Sequence, residues 1–165
     1  METAANRHSV ELKLARLRDA ERIALMSRDL VENGLPWSWT APRVAAHIRG
    51  RDSNVLTAWA DDHLVGFAVM QFLAEHAHLN LLAVEPAYRR AGIGCQLIAW
   101  LEETARVGGI FFIHLEVRAE NGGARAFYRR LGYQETRYVP GYYSGREAAI
   151  SMTHDLRCRC PSDAT

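Results

Sequence analysis

Apolar and polar residues alternate through Val10-Glu11-Leu12-Lys13-Leu14-Ala15-Arg16-Leu17, the period of a half-buried strand. Beyond Asp19, a residue type that caps helices, the period lengthens. Ile23, Leu25, Met26 and Leu30 give an apolar side, and Asn33-Gly34 a stop. Pro36-Trp37-Ser38-Trp39 leads to a second helix over 41–49, and 55–60 and 64–72 read as strands joined through the hairpin-like turn Asp61-Asp62-His63. An apolar strand follows over 79–84. Leu97, Ile98, Leu101 and Ala105 then recur at helical spacing, so a helix starts near Gly92 and stops at Gly108-Gly109. A strand over 110–117, a helix over 122–131 and strands over 133–139 and 148–154 complete the order β, α, α, β, β, β, α, β, α, β, β. This is a mixed α/β layout without repeats or low-complexity segments.

With 165 residues the chain fits a single domain, expected over 8–156, and its 48% hydrophobic and 24% charged fractions are ordinary for a globular protein. The segment 157–165, ending Pro161-Ser162-Asp163-Ala164-Thr165, reads as a disordered tail. A formal net charge of +1 provides no global attraction to nucleic acid or to an anionic membrane, so any anion site is local. No apolar run approaches the roughly 18 residues of a membrane span. The start, Met1-Glu2-Thr3-Ala4-Ala5-Asn6-Arg7, lacks the apolar core of a signal peptide, and a cytoplasmic protein is expected. Cys95, Cys158 and Cys160 suit a reducing compartment better than a disulfide framework, and too few ligands accompany Cys158 and Cys160 for a zinc site.

The densest chemistry lies in Val84-Glu85-Pro86-Ala87-Tyr88-Arg89-Arg90-Ala91-Gly92-Ile93-Gly94-Cys95-Gln96-Leu97, a strand end that passes through a basic, glycine-containing turn into a helix. A helix N-terminus offers unsatisfied N–H groups and a partial positive charge, so a diphosphate finds donors and field together. Gly92 and Gly94 leave out the β-carbons that keep an anion from the backbone, and Arg89 and Arg90 add cationic donors. A dinucleotide fingerprint needs a third glycine where Leu97 stands, and the Gly-Lys-Ser/Thr of a Walker loop is missing. Taken alone, the turn reads equally as a glycine-softened surface turn with two solvated arginines.

Arg89-Arg90-Ala91-Gly92-Ile93-Gly94 resembles the acetyl-coenzyme A signature of the GNAT N-acetyltransferases, Arg/Gln-x-x-Gly-x-Gly/Ala. Leu115-Glu116-Val117-Arg118-Ala119-Glu120-Asn121 and Ala124-Arg125-Ala126-Phe127-Tyr128-Arg129-Arg130-Leu131-Gly132-Tyr133 resemble the family's next strand, helix and hydrophobic turn. Together with Tyr142-Tyr143 before Gly145-Arg146-Glu147, these blocks are most similar to the RimI type, which acetylates the N-terminal alanine of a ribosomal protein. The likeness runs from about Leu79 to Met152 and is weaker upstream. It implies a single-domain acyl-CoA N-acyltransferase fold whose central sheet is splayed between two neighbouring parallel strands and flanked by helices. Acetyl-coenzyme A is the implied co-substrate, with no metal.

The resemblance also assigns residues. The main chain of Leu82, Ala83 and Val84 would pair with pantetheine, an N–H near Val84 polarising the acetyl carbonyl, and Arg89, Arg90, Ala91, Gly92, Ile93, Gly94 and Cys95 would hold the diphosphate. Cys95 as a nucleophile is the lesser alternative, since this family transfers directly. Glu116 would be the base, directly or through water, with a strand-edge pairing to Arg118 as the structural alternative. Tyr128 would donate to the departing thiolate and touch the cofactor; otherwise it is a core aromatic near Phe127 and Tyr133. Asn121 would hydrogen-bond the cofactor and cap its helix. Many relatives carry Asn three residues before the strand-ending valine, where this chain has Leu81, with Asn80 one place earlier.

His76, His78 and His114 invite a metal reading, but no fixed metal motif accompanies them; His76, His78 or Glu75 could instead relay the amine proton. Trp37, Tyr142 and Tyr143 are candidate acceptor walls, or plainly packed loop aromatics. The expected acceptor is the α-amino group of a protein N-terminus, for a monomer or homodimer without nucleic-acid or membrane partners. An enzyme for a small amine (amino acid, polyamine or aminoglycoside) and a catalytically silent acetyl-coenzyme A-binding module are the alternatives.

Overall fold

The computed structural model describes residues 9–158. The expectations for residue 8, for Met1 to Arg7 and for 159–165 lie outside the described residues. Eleven elements follow in the expected order: β1 (Val10–Leu14), α1 (Ala20–Leu30), α2 (Ala41–Arg49), β2 (Ser53–Ala60), β3 (His63–Phe72), β4 (Ala77–Val84), α3 (Ile93–Val107), β5 (Phe112–Arg118), α4 (Gly122–Arg130), β6 (Gln134–Tyr143) and β7 (Glu147–Asp155). The strands form one seven-stranded sheet in the order β1-β2-β3-β4-β5-β7-β6. All neighbours are antiparallel except β4 and β5, which are parallel and joined by the α3 crossover that such a pair requires.

Each face of the sheet carries its own core. On one, Ile93, Leu97, Ile98, Leu101 and Ala105 of α3 and Tyr128 of α4 pack with Leu56, Ala68, Met70, Leu79, Ile113, Leu115 and Val117. On the other, Ile23, Ala24 and Met26 of α1 and Val44 of α2 pack with Val55, Phe67, Val69, Leu81 and Ala83. Leu79 and Leu81 thus serve opposite faces although two residues apart. Leu79 pairs with Met70 and Leu81 with Val69, so Asn80 is the extra residue of a β-bulge that shifts the strand's alternation by one.

Several boundaries differ from the sequence reading. β1 stops at Leu14, because the Arg16 N–H donates to the Asp19 carboxylate (2.8 Å) and 17–19 wind into a 3-10 turn. Asp19 therefore makes no side-chain cap to α1. Leu25 faces solvent: the buried positions of α1 are Ala20, Ile23, Ala24, Met26 and Ser27, and Leu25 lies two residues, about 200° of helical rotation, from Ile23. β6 runs on to Tyr143 through an irregular register with β7. The expected tail begins in order, with Arg157 paired to Asp155 (2.9 Å) and stacked over Phe112. Among the described residues no helix is long and apolar enough to cross a membrane.

Candidate active site

β4 and β5 pair at Ala77/Ile113 and His78/His114 and then separate, while β5 keeps its full ladder with β7 and β4 keeps its own with β3. The two facing edges beyond these pairs have no strand partner, and a crevice opens between them. It is lined by Leu79 to Leu82, by Leu115 to Arg118, by Asn121 at the head of α4 and Ala124 and Tyr128 along it, by Tyr143, and by Leu30 and Val31 at the end of α1. Backbone N–H and C=O groups along such an edge need partners, and an extended amide chain laid in the crevice supplies them.

The glycine turn stands at the far end of β4. Gly92, at φ +80°, is the residue before the first turn of α3, and a β-carbon there would meet nothing within 4 Å. No side chain caps this helix, so its first N–H groups are open to an anion. At Gly94 a β-carbon would lie 3.2 Å from Phe127 Cζ, so the missing side chain also admits α4 against α3. The Arg89 Nε–H donates to the Val84 carbonyl (3.0 Å), tying the turn to the strand end, while Arg90, itself left-handed at φ +63°, and Cys95 are exposed. Ile93 is buried and Ala91 exposed. Leu82 faces the crevice, Ala83 the α1/α2 core, and the Val84 side chain packs beside Gly66.

Glu116 and Tyr128 both line the crevice. Tyr128 is buried between Phe127 and Tyr133, with edge-on ring contacts of 5.1 and 5.5 Å, so it is a core aromatic as well as a crevice residue. Its hydroxyl has no hydrogen-bond partner among the described residues, and burial raises its pKa, which keeps the phenol a donor. Asn121 caps α4 through Oδ1, which accepts the Ala124 N–H (3.1 Å), and lines the crevice too.

Glu116 is paired with His78 rather than with Arg118. The His78 Nε2–H donates to Glu116 Oε2 (2.5 Å), because His78 sits opposite His114 in the last pair of the ladder and Glu116 is the next residue on that face. His78 Nδ1 faces Asn80 Oδ1, so both ring nitrogens meet oxygen atoms, an arrangement that favours the protonated ring. The hydrogen bond from His78 holds the Glu116 carboxyl below its ordinary range; the His78 charge and the Tyr142 hydroxyl act in the same direction, against burial. Reciprocally, the Glu116 bond raises His78. Burial first, then the neighbouring His76 and His78, lower His114, whose Nδ1 bonds Thr153 Oγ1 (2.7 Å). Among the described residues no group of three or more His, Cys, Asp and Glu is placed to hold a metal ion.

Arg118 does other work: Nη2 donates to the Val31 carbonyl (2.8 Å) and Nη1 pairs with Glu147 (3.5 Å), fastening β5 to the end of α1 and to β7. Tyr142 and Tyr143 stand edge to face (4.8 Å) on the β6–β7 hairpin, near Glu116 and Arg118 respectively. Trp37 is not brought to the crevice; it lies on the α1–α2 connection under Arg28, its Nε1–H donating to the Trp39 carbonyl. Leu30 and Val31 supply that wall instead, and sequence spacing contained no sign of them. The early position of Asn80 did carry a signal, since that residue is the bulge.

Residues 18–133 match the model of the Acetyltransferase (GNAT) family. The ribosomal protein bS18-alanine N-acetyltransferase of Salmonella typhimurium is 38% identical over 96 residues, 56% of this chain and 65% of that protein. N-alpha-acetyltransferase 20 of Dictyostelium discoideum is 35% identical over 95 residues, 57% of this chain and 55% of its own. The match thus spans somewhat less than two thirds of the length of these curated relatives. The crystal structure of the ribosomal-protein-S18-alanine N-acetyltransferase from Escherichia coli superimposes with a TM-score of 0.78 at 26% identity, covering 93% of this chain and 97% of that one. Fold, splayed strands and capless glycine turn agree with this likeness, and the chain belongs to the GNAT acetyltransferase family.

Proposed function

We propose that this chain is an acetyl-coenzyme A-dependent N-acetyltransferase acting in the cytoplasm on the α-amino group of protein N-termini. The observation that carries the reading is the convergence of Glu116 and Tyr128 on one crevice between separated parallel strands, with the open N-terminus of α3 at the end of β4. The names of the relatives, protein N-terminal and ribosomal-protein alanine acetyltransferases, support the choice of acceptor.

The residues fit the co-substrate. Gly92, Ile93, Gly94 and Cys95, with Arg89, Arg90 and Ala91, would hold a diphosphate at the helix start, and the unpartnered edge around Leu82 to Val84 would take the amide arm. A bound acyl thioester supplies an electrophilic carbonyl and a thiolate leaving group. Glu116 accepts a proton from the acceptor ammonium, and an α-amino group, with a pKa of about 7.7–8.0, releases it more readily than a lysine at about 10.4. Tyr128 donates its hydroxyl proton to the departing sulfur, and Asn121 holds the start of α4, which carries Tyr128. Tyr142 and Tyr143 flank the acceptor on the hairpin side, Leu30 and Val31 on the helix side.

Mass spectrometry of N-terminal peptides and small amines incubated with protein and acetyl-coenzyme A tests this. Acetylation of peptide α-amines is expected. Exclusive acetylation of an amino acid, polyamine or aminoglycoside would replace the acceptor, and saturable acetyl-coenzyme A binding without any transfer would leave a binding module.

A further inference from the structure

The crevice carboxylate has a hydrogen-bonded partner behind it. His78 contributes no surface to the crevice; it stands beyond Glu116, 2.5 Å from Oε2, with its side chain 29% exposed against 20% for Glu116. Glu116 therefore faces the acceptor while His78 faces both Glu116 and solvent. Asn80, on the bulge, accepts from Nδ1 and fixes the ring so that Nε2 is aimed at the carboxylate.

We infer that His78 is the positioning and proton-storing residue of the acceptor site, receiving through Glu116 the proton that the acceptor ammonium gives up and passing it to solvent. The inference rests on the acetyl-transfer reading above. In the working form His78 is neutral, keeping Nδ1–H on Asn80 and turning the Nε2 lone pair to Glu116. One ammonium proton moves to Glu116 Oε2 and from there to Nε2, and the amine is left neutral while Glu116 ends ionised as it began. The amine nitrogen then bonds to the acetyl carbon and the C–S bond breaks. A second N–H proton is released as the amide forms, balancing the proton that Tyr128 delivers to sulfur. The imidazolium finally returns its proton to water, so one proton is released per turnover.

Chemistry favours this division. An isolated carboxylate, near 4.3, is poorly matched to an ammonium near 8, whereas an imidazole near or above its ordinary 6.5 is well matched. The groups around His78 place the charge on it alone. Glu116 and Asn80 accept from it; His114, across the ladder, bonds Thr153 and is biased towards neutrality; His76 stacks edge-on against His114 (4.8 Å); Tyr142 reaches Glu116 from β6. When His78 is protonated it can take no further proton from Glu116. Turnover must therefore rise with pH through the His78 titration, which Glu116 moves upward.

The test joins a spectroscopic titration to a rate profile. NMR titration of the imidazole side chains in the intact chain is expected to find His78 above the ordinary value of about 6.5, falling back in Glu116→Gln. The acidic limb of kcat/KM is expected at the same pH for acceptors whose own amine pKa values differ. His78→Gln, which keeps a donor towards Glu116, is expected to remove that limb and lower kcat by about 10- to 100-fold, the scale of lost proton-transfer assistance, with acetyl-coenzyme A KM little changed. His76→Gln is expected to leave the limb in place. A His78 that titrates at or below its ordinary value, a limb that follows the acceptor amine, or a His78→Gln enzyme with an unchanged profile overturns the inference. Wild-type protein that transfers no acetyl group to any amine overturns the acetyl-transfer reading instead, a result the NMR arm keeps separate.

Discussion

Gly94 and Phe127 touch across the start of α3: a β-carbon on residue 94 would sit 3.2 Å from Phe127 Cζ, and the Phe127 ring in turn meets Tyr128 at 5.1 Å. Gly94→Ala is expected to push Phe127 against Tyr128 and cost about 1–3 kcal/mol, as overpacking does. Gly92→Ala has room but not the torsion, and costs about 1–2 kcal/mol from its left-handed φ alone. Denaturant melts check both, and Phe127→Leu should rescue the first variant but not the second. Equal rescue of both would contradict the packing role of Gly94.

Tyr128 is buried, free of a protein acceptor among the described residues, and raised in pKa. Tyr128→Phe should therefore fold with near-native stability, bind acetyl-coenzyme A normally and lose about 10²- to 10⁴-fold in kcat. Calorimetric binding and steady-state rates measured on the same preparation separate the two effects.

The His78–Glu116 pair also predicts a stability profile. Glu116 is depressed, so its share of stability is present above its ordinary pKa and lost as pH falls through the folded value. His78 is raised, so its share is complete below 6.5 and lost as pH rises through the folded value. The pair thus stabilises most between these limits, in mildly acidic solution. Glu116→Gln should lower the melting temperature there and have less effect at pH 9. A uniform shift across pH would mean that packing, not ionisation, carries the contact.

Glu32 is a buried carboxylate that gathers the α1–α2 connection. It accepts the Ser38 N–H (2.7 Å), the Ser38 hydroxyl (2.6 Å), the Trp39 N–H (3.2 Å to Oε2) and the Ser27 hydroxyl (3.3 Å). Its neighbour Val31 holds Arg118 and lines the crevice. Glu32→Ala leaves those donors without their acceptor and should cost about 2–4 kcal/mol. Because only the α1 wall is loosened, KM for the acceptor is expected to rise while acetyl-coenzyme A affinity stays constant, as paired KM and binding measurements would report.

Local signals were strongest where a residue's role is set by its own neighbours. The order of elements, the bounds of α2 and the Asn121 cap follow from periodicity and capping chemistry, which act over one helical turn. Leu25 was misread because four apolar letters in one helix do not all fall on one face. Trp37 was drawn to the acceptor by its chemistry, whereas a hydrogen bond to Trp39 and the cation above it turn it to solvent. The packing of Gly94 against Phe127 has no local signal, because the ring that needs the space lies 33 residues onward.

The amino-acid sequence by itself determined the succession of strands and helices, the glycine turn at the head of α3, and the presence of Glu116, Asn121 and Tyr128 in blocks typical of the family. Tertiary structure alone decided which residues meet. Burial alternates without a break along 77–84, yet the bulge at Asn80 sends Leu79 and Leu81 to opposite faces, because its place depends on the ladder with β3. The crevice exists because β4 and β5 pair twice and then part, and the last of those pairs brings His78 to Glu116 across 38 positions of chain. Pairing between distant strands is a property of the assembled sheet, so no local pattern of residues could have revealed the partner of the crevice carboxylate.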